Sequence, residues 1–301
     1  MPAPALNHPL DDLSEADLAR LARVADPLLA GRPLLSAGHR PHRLRAGHGY
    51  EFLDYQEYVA GADLRNLDWR ATARSRRPQL RRQRDEQTSD WQLCLDRSAS
   101  MTTAAGRKWR LAVQLTAALG YLLLHLGHRT GLLGFTDDCT VLLPSGRGRH
   151  HYARLAQRLH DMAPSGDGGS DLSRCAARLP PRHQLIIVSD FLAPQAMLPA
   201  LRCLAATGRA MHLMHVMDRA DVTLTTGDAA VELLDVENRQ RLSLIPTPAA
   251  VHAAQAAADA LRTTLSAFCL DHGLRYTPCD TAGHWKAIVM EHLSGFKATH
   301  A

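Results

Sequence analysis

The chain has 301 residues, 46% hydrophobic and 22% charged, which excludes general disorder and allows one large domain with an appendage, or two domains. Aromatic residues supply only 5%, so the core must be built mainly from Leu, Ala and Val. The formal charge is +5, and residues 36–84 alone hold eleven Arg against five acids, an excess that suits an acidic partner, a phosphate-bearing ligand or an anionic surface.

Residues 12–30 predict a short helix, with Leu13, Leu18, Leu21, Val24 and Leu28 at near-helical intervals. Asp11, Asp12, Glu15 and Asp17 occupy the place where a signal peptide would carry basic residues. A Pro- and Gly-punctuated stretch follows to Gly49. The segment Glu51–Arg84 then shows no clean period, yet Tyr50, Phe52, Tyr55, Tyr58 and Trp69 cluster in and beside it, so it should be ordered. From residue 91 the pattern alternates. Strands are expected at Trp91–Leu95, Leu132–Thr136, Thr140–Leu143, Gln184–Ser189 and Met211–Met217, and helices around 107–128, 151–162, 172–179 and 195–207. Hairpins are expected around Asp137-Asp138 and Glu237-Asn238. An Ala-rich helix from Pro248 to His272, a strand at Leu274–Thr277 and a helix at His284–Leu293 close the chain. Such alternation predicts an α/β fold with a doubly wound, mostly parallel sheet and the N-terminal segment packed against it.

The most apolar run, Leu111–Gly127, is interrupted by Gln114 and His125 and is short for a membrane span. The six cysteines form no C-x-x-C pair. Cys94 and Cys203 lie in apolar runs expected to be buried, which fits reduced thiols in a soluble, cytoplasmic protein.

Ligands of open parallel sheets bind beyond the carboxyl ends of the strands. There the first strand runs into Asp96-Arg97-Ser98-Ala99-Ser100, a D-x-S-x-S sequence, and the fourth runs into Asp190. Between them the turn-rich PSGDGGSDL places Ser170 before a helix. Two carboxylates and three hydroxyls, with no sulfur or imidazole, favour Mg²⁺ or Mn²⁺ over zinc. Taken singly, D-x-S-x-S is also a common capped turn and Asp190 a helix N-cap; their joint placement favours a metal-type site. Only two ligand charges face a divalent ion, leaving it receptive to a carboxylate from another molecule.

This arrangement resembles the metal-ion-dependent adhesion site of von Willebrand factor A domains, with Ser170 where that family usually has Thr. Upstream, Phe52, Tyr58, Gly61, Asp63, Arg65, Leu67, Asp68, Trp69, Ala73 and Arg74 resemble the signature of a bacterial family of uncharacterised von Willebrand factor A-like proteins associated with MoxR-type AAA+ ATPases. Ala62 departs from that pattern, in which Asp is common. The resemblance covers roughly residues 45–300. With the helix read near the start, this divides the chain into an N-terminal helical segment at 1–30, a signature segment at 31–85 that is Arg-rich at its end, and, as the resemblance implies, a von Willebrand factor A-like domain at 86–301. The resemblance also implies a non-enzymatic, chaperone-like adaptor working with a MoxR ATPase or a client protein.

Arg65, Asp68, Trp69 and Arg74 then form either an intramolecular clamp, the favoured reading, or a docking surface. One rival function is polyanion or nucleic-acid binding through Arg70, Arg74, Arg76, Arg77, Arg81, Arg82 and Arg84, although no nucleic-acid motif accompanies them. Another is a metal-dependent hydrolase with Ser98 or Ser100 as nucleophile, against which no His lies in the site loops and G-x-S-x-G is absent. The Gly-rich loop lacks the Lys-Ser/Thr of a phosphate-binding loop, which disfavours ATP.

Overall fold

From residue 91 the apolar runs become strands and the amphipathic runs helices, in the order the alternation predicts, while the stretch without a clean period before it holds two strands and a short helix. In this computed structural model residues 8–29, 51–58, 67–84, 89–164, 169–180, 183–192, 194–221, 230–236 and 239–295 are described. Two units divide the chain: His39–Thr88 is one, and Met1–Gly38 with Ser89–Ala301 is the other. In chain order the elements are α1 (Glu15–Leu29), β1 (Glu51–Glu57), α2 (Trp69–Ser75), β2 (Gln79–Arg84), β3 (Asp90–Asp96), α3 (Arg107–His125) and β4 (Arg129–Phe135). They continue with β5 (Cys139–Gly146), α4 (Arg149–His160), α5 (Ser173–Arg178), β6 (Gln184–Ser189), α6 (Pro194–Ala206) and β7 (Met211–Met217). Last come β8 (Val231–Leu234), β9 (Arg241–Leu244), α7 (Pro248–Asp271), β10 (Arg275–Asp280) and α8 (Trp285–Ser294).

The larger unit is built on a six-stranded sheet ordered β10-β7-β6-β3-β4-β5. All neighbours are parallel except β4 and β5, which form the hairpin expected around Asp137-Asp138. The chain builds β3, β4 and β5 towards one edge, then returns to lay β6, β7 and β10 on the other side of β3. The direction of winding therefore reverses between β3 and β6, which makes their carboxyl ends the switch point of the sheet.

Both faces of the sheet are covered, as a parallel sheet requires. Leu93, Leu95, Ile186, Val188, Met214 and Val216 join one core with residues of α1, α3, α4 and α8. Cys94, Leu185, Ile187, Met211 and Leu213 join the other with α5, α6 and α7. Helix α3 is apolar nearly all round, and its buried residues run from Lys108 to Leu124. Gly120 lets it approach the sheet: a methyl group there would lie 3.1 Å from Leu93 Cδ1. The helix ends in a Schellman motif, with Gly127 at φ +80° and His128 N–H donating to Leu123 O at 2.9 Å.

Helix α1 begins after Ser14, whose hydroxyl accepts from Asp17 N–H at 3.1 Å. It buries Leu18, Leu21, Ala22 and Ala25, one face at helical spacing, in the core that α3 shares. The hairpin of β8 and β9 is antiparallel, and Glu237-Asn238 lie outside the described residues. All six cysteines are free. Cys94 is buried as expected, but Cys203 is exposed: α6 turns that side of its apolar run outward.

In the smaller unit, β1 and β2 pair antiparallel, with Tyr55 opposite Arg81 and Glu57 opposite Gln79. Asp68 N–H donates to Gln79 O and Tyr58 N–H to Pro78 O, which ties the ends of the pair together. Among the described residues no helix is long and apolar enough to cross a membrane.

Candidate functional site

Leu95 pairs with Val188, so the ends of β3 and β6 stand side by side and carry Asp96, Ser189 and Asp190 to the same rim of the sheet. Asp96 is wholly buried and its carboxylate is the hub. Its Oδ1 accepts from Ser98 N–H at 2.8 Å, and its Oδ2 accepts from the hydroxyls of Ser170 at 2.8 Å and Ser189 at 2.5 Å. Ser98 and Ser100 are buried with their hydroxyls 3.0 Å apart, the latter inside a 3-10 turn at Ala99–Thr102. Ser170 is held by its neighbours: Asp171 N–H donates to Thr136 O at 2.9 Å and Gly169 N–H to Asp137 Oδ2 at 3.1 Å. The β4–β5 hairpin thus props the loop that delivers the third hydroxyl.

Asp190 is also buried. Its Oδ1 accepts from Leu192 N–H at 3.3 Å, and its Oδ2 accepts from Lys108 Nζ at 2.8 Å. The Lys108 ammonium, fully enclosed in the first turn of α3, also meets Asp221 Oδ2 at 3.1 Å. Thr103 Oγ1 donates to Ser100 O at 2.8 Å and meets Asp221 Oδ1 at 3.2 Å, which joins this arm to the serine loop. Beside it, Arg107 grips Asp218 with two 2.8 Å hydrogen bonds.

The electrostatics follow from burial and neighbours. Burial, then the charge of Asp190, raises the Asp96 carboxyl above the usual carboxylate range, against the hydrogen bonds from Ser189 and Ser98. Burial alone would lower the Lys108 pKa, but Asp190 and Asp221 outweigh it and hold the ammonium above its ordinary value. Backbone strain is concentrated here as well. Phe191 stands at φ +51° with its ring buried, and its N–H donates to Ser189 Oγ at 2.9 Å.

A model of the family described as protein of unknown function DUF58 matches residues 54–263. The chain belongs to the DUF58 family. Uncharacterised proteins Rv1480 of Mycobacterium tuberculosis and Mb1516 of Mycobacterium bovis are each 33% identical to it over 245 residues, covering 76% of this chain and 76% of the relative. Among solved structures, a conserved hypothetical protein BatB from Bacteroides thetaiotaomicron has a TM-score of 0.41 at 11% identity, covering 71% of this chain and 100% of that one. An aerotolerance-related membrane protein from Bacteroides fragilis has a TM-score of 0.38 at 14% identity, covering 68% and 98%.

In this DUF58 chain the five residues expected at the strand ends, Asp96, Ser98, Ser100, Ser170 and Asp190, are all buried at one rim. Asp190 closes a turn onto Leu192, two residues before α6 begins. The sequence reading missed Ser189, Lys108 and Asp221. Ser189 had a signal, since a hydroxyl at the last position of an apolar strand must find a partner. Lys108 had none, because a Lys near a helix start reads as solvent-exposed.

The signature residues behave differently. Asp68 caps α2, its Oδ1 accepting from Arg70 and Ala71 N–H at 2.9 and 3.0 Å, and its Oδ2 accepts from Tyr55 OH at 3.0 Å. Trp69 is 74% exposed. Arg74 Nε donates to Arg70 O within the same helix at 3.3 Å. Gly61, Ala62, Asp63 and Arg65 lie outside the described residues.

Proposed function

We propose that the protein is a non-enzymatic adaptor of chaperone-like type, with a von Willebrand factor A-type fold, whose strand-end cluster holds Mg²⁺ or Mn²⁺ and grips an acidic residue of a partner. The observation that carries this reading is the convergence of Asp96, Ser98, Ser100, Ser170 and Asp190, from three separate chain segments, at the switch point of the sheet. The reversal of strand order at β3 and the antiparallel edge strand β5 support the fold type.

The donor set suits a small hard cation. It offers oxygens alone, and burial beside Asp190 penalises the Asp96 carboxylate in a way that a neighbouring positive charge relieves. Among the described residues no three His, Cys, Asp or Glu side chains gather to hold a metal, so hydroxyls would supply most ligands here. When bound, the ion would offer an open position to a partner carboxylate. Asp96, Ser98, Ser100, Ser170 and Asp190 would hold it, while Ser189 and the β4–β5 hairpin orient them.

A MoxR-type AAA+ ATPase, or a client the two share, is the partner that the signature at 52–74 suggests, and the six free thiols suit a cytoplasmic setting. The test is retention of partners from the source cell by wild type and Asp96→Ala, each in Mg²⁺ and in chelator. Loss of the ATPase or client in every condition except wild type with Mg²⁺ is expected. Equal retention in all four ends the metal-grip reading. A second reading, polyanion binding, is favoured by the exposed Trp69 beside exposed Arg70, Arg74, Arg76 and Arg77. It requires retention that falls steeply with salt and ignores Mg²⁺.

A further inference from the structure

Lys108 stands where a cation site would be expected to keep positive charge out. Its ammonium is completely enclosed and sits 2.8 Å from Asp190 Oδ2, one of the oxygens a metal ion would need. The placement is enforced by the backbone. Ala104, Ala105 and Gly106 all adopt left-handed conformations, at φ +55°, +54° and +76°, immediately before α3. For the two alanines this conformation is strained. Directly after the turn, Arg107 makes the bidentate pair with Asp218, and Lys108 beside it is fully buried against Asp190.

Asp218 and Asp221 lie in the short segment that follows β7, so the start of α3 is anchored to that segment twice. Asp221 is part-exposed and 3.1 Å from the ammonium, which gives Lys108 a second carboxylate on which to rest. An ammonium is a flexible point charge with three donors, able to shift between two such acceptors without losing its pairing.

We propose that Lys108 is the resident counter-ion of the site: it neutralises Asp190, competes with a divalent ion for that carboxylate, and moves onto Asp221 when the ion enters. This rests on the metal reading above and deepens it by naming what sets affinity. With the ammonium in place, Asp96 and Asp190 present one net negative charge instead of two. Occupancy then requires a second contribution, and the carboxylate of the bound partner supplies it. The site would thus be weak for metal alone and stronger for metal and acidic partner together.

The experiment is a Mn²⁺ titration of the full chain, followed by calorimetry and by thermal unfolding, for wild type, Lys108→Met, Lys108→Arg, Asp96→Ala and the Asp96→Ala/Lys108→Met double variant. Lys108→Met keeps the volume and removes the charge. It should bind Mn²⁺ ~10-fold or more tightly than wild type, and its melting temperature should rise more on adding Mn²⁺. Lys108→Arg should stay at or below wild-type affinity, and Asp96→Ala should abolish the gain. If Lys108→Met folds only when Mn²⁺ is present, the inference is supported in its strongest form. An affinity for Mn²⁺ no higher than wild type, or a fold that Mn²⁺ does not rescue, overturns it. The two readings separate cleanly. Binding by Lys108→Met through Asp96, with none by wild type, upholds the counter-ion and sinks metal dependence in the native protein. Tight binding by wild type, unchanged in Lys108→Met, does the reverse.

Discussion

The strand-end cluster and the β1–α2–β2 unit are both rich in polar side chains, and they solve opposite problems. In the cluster, carboxylates, hydroxyls and an ammonium are removed from water and must satisfy one another, so each oxygen of Asp96 and Asp190 has a named donor. In the smaller unit, Arg70, Arg74, Arg76 and Arg77 stay in water, and the Arg77–Glu57 pair at 3.3 Å is more than half exposed on both sides. Removing one member of a buried set strands the others, whereas removing one exposed arginine leaves only a site for water.

The largest effect should therefore come from breaking the buried pair. Asp190→Ala leaves Lys108 enclosed with Asp221 alone, and should cost about 3 kcal/mol of stability, towards the low end for a stranded buried charge because one partner survives. Arg77→Ala in the exposed unit should cost about 0–1 kcal/mol. Urea denaturation of both variants measures the contrast. Equal losses would mean that the cluster is better hydrated than its burial implies.

The buried polar chemistry of the larger unit is not confined to the rim, and pH reads it out. His212 Nδ1 and His292 Nε2 lie 2.9 Å apart between β7 and α8, and His292 Nδ1 meets Thr277 Oγ1 at 2.7 Å. Burial, then the nearby Arg275, pushes the His292 pKa down to about 3, and burial also lowers His212 well below its usual value. The unfolded chain binds these protons near pH 6.5, while in the folded chain His292 refuses its proton until near pH 3 and His212 also stays neutral well below its usual range. Stability contributed by the neutral pair is thus full above about pH 6.5 and is lost as pH falls towards 3, by up to about 1.4 kcal/mol per pH unit for each histidine. Denaturation midpoints from pH 7 to 4 for wild type and His292→Leu should show a shallower acid limb in the variant. An unchanged limb would place the titrating groups elsewhere.

The same contrast explains what could be read in advance. The strands were legible because a parallel strand covered on both faces is an unbroken apolar run, as in β3 and β6, and its end is marked by the first carboxylate. Asp96 and Asp190 therefore stand out in the sequence as strand ends. Lys108 was invisible because its partners, Asp190 and Asp221, lie 82 and 113 residues further along, and only the closed fold brings them together. Cys203 misled for a related reason: an apolar neighbourhood in sequence does not say which way a helix faces. The β1–α2–β2 unit gave no period, and in the described part of β1 the consecutive residues Tyr55, Gln56 and Glu57, which point to both sides of the strand, are all exposed. In the smaller unit Asp68 caps α2 and Trp69 is exposed, while Arg65, a further member of the expected clamp, lies outside the described residues.

Asp68 offers the smallest and sharpest test of that local order. Its carboxylate accepts from two backbone N–H groups at the start of α2 and from the Tyr55 hydroxyl on β1, so one side chain joins a helix start to a strand. Asp68→Ala should cost about 1 kcal/mol, the usual worth of a lost N-cap. Asp68→Asn keeps the capping oxygen and should recover most of it. Because Trp69 is already in water, its fluorescence should hardly change when the first turn of α2 frays, while the strand-end cluster keeps its own stability. If Asp68→Ala loses several kcal/mol instead, the aspartate holds more than a helix end, and the exposed unit is organised by buried charge after all.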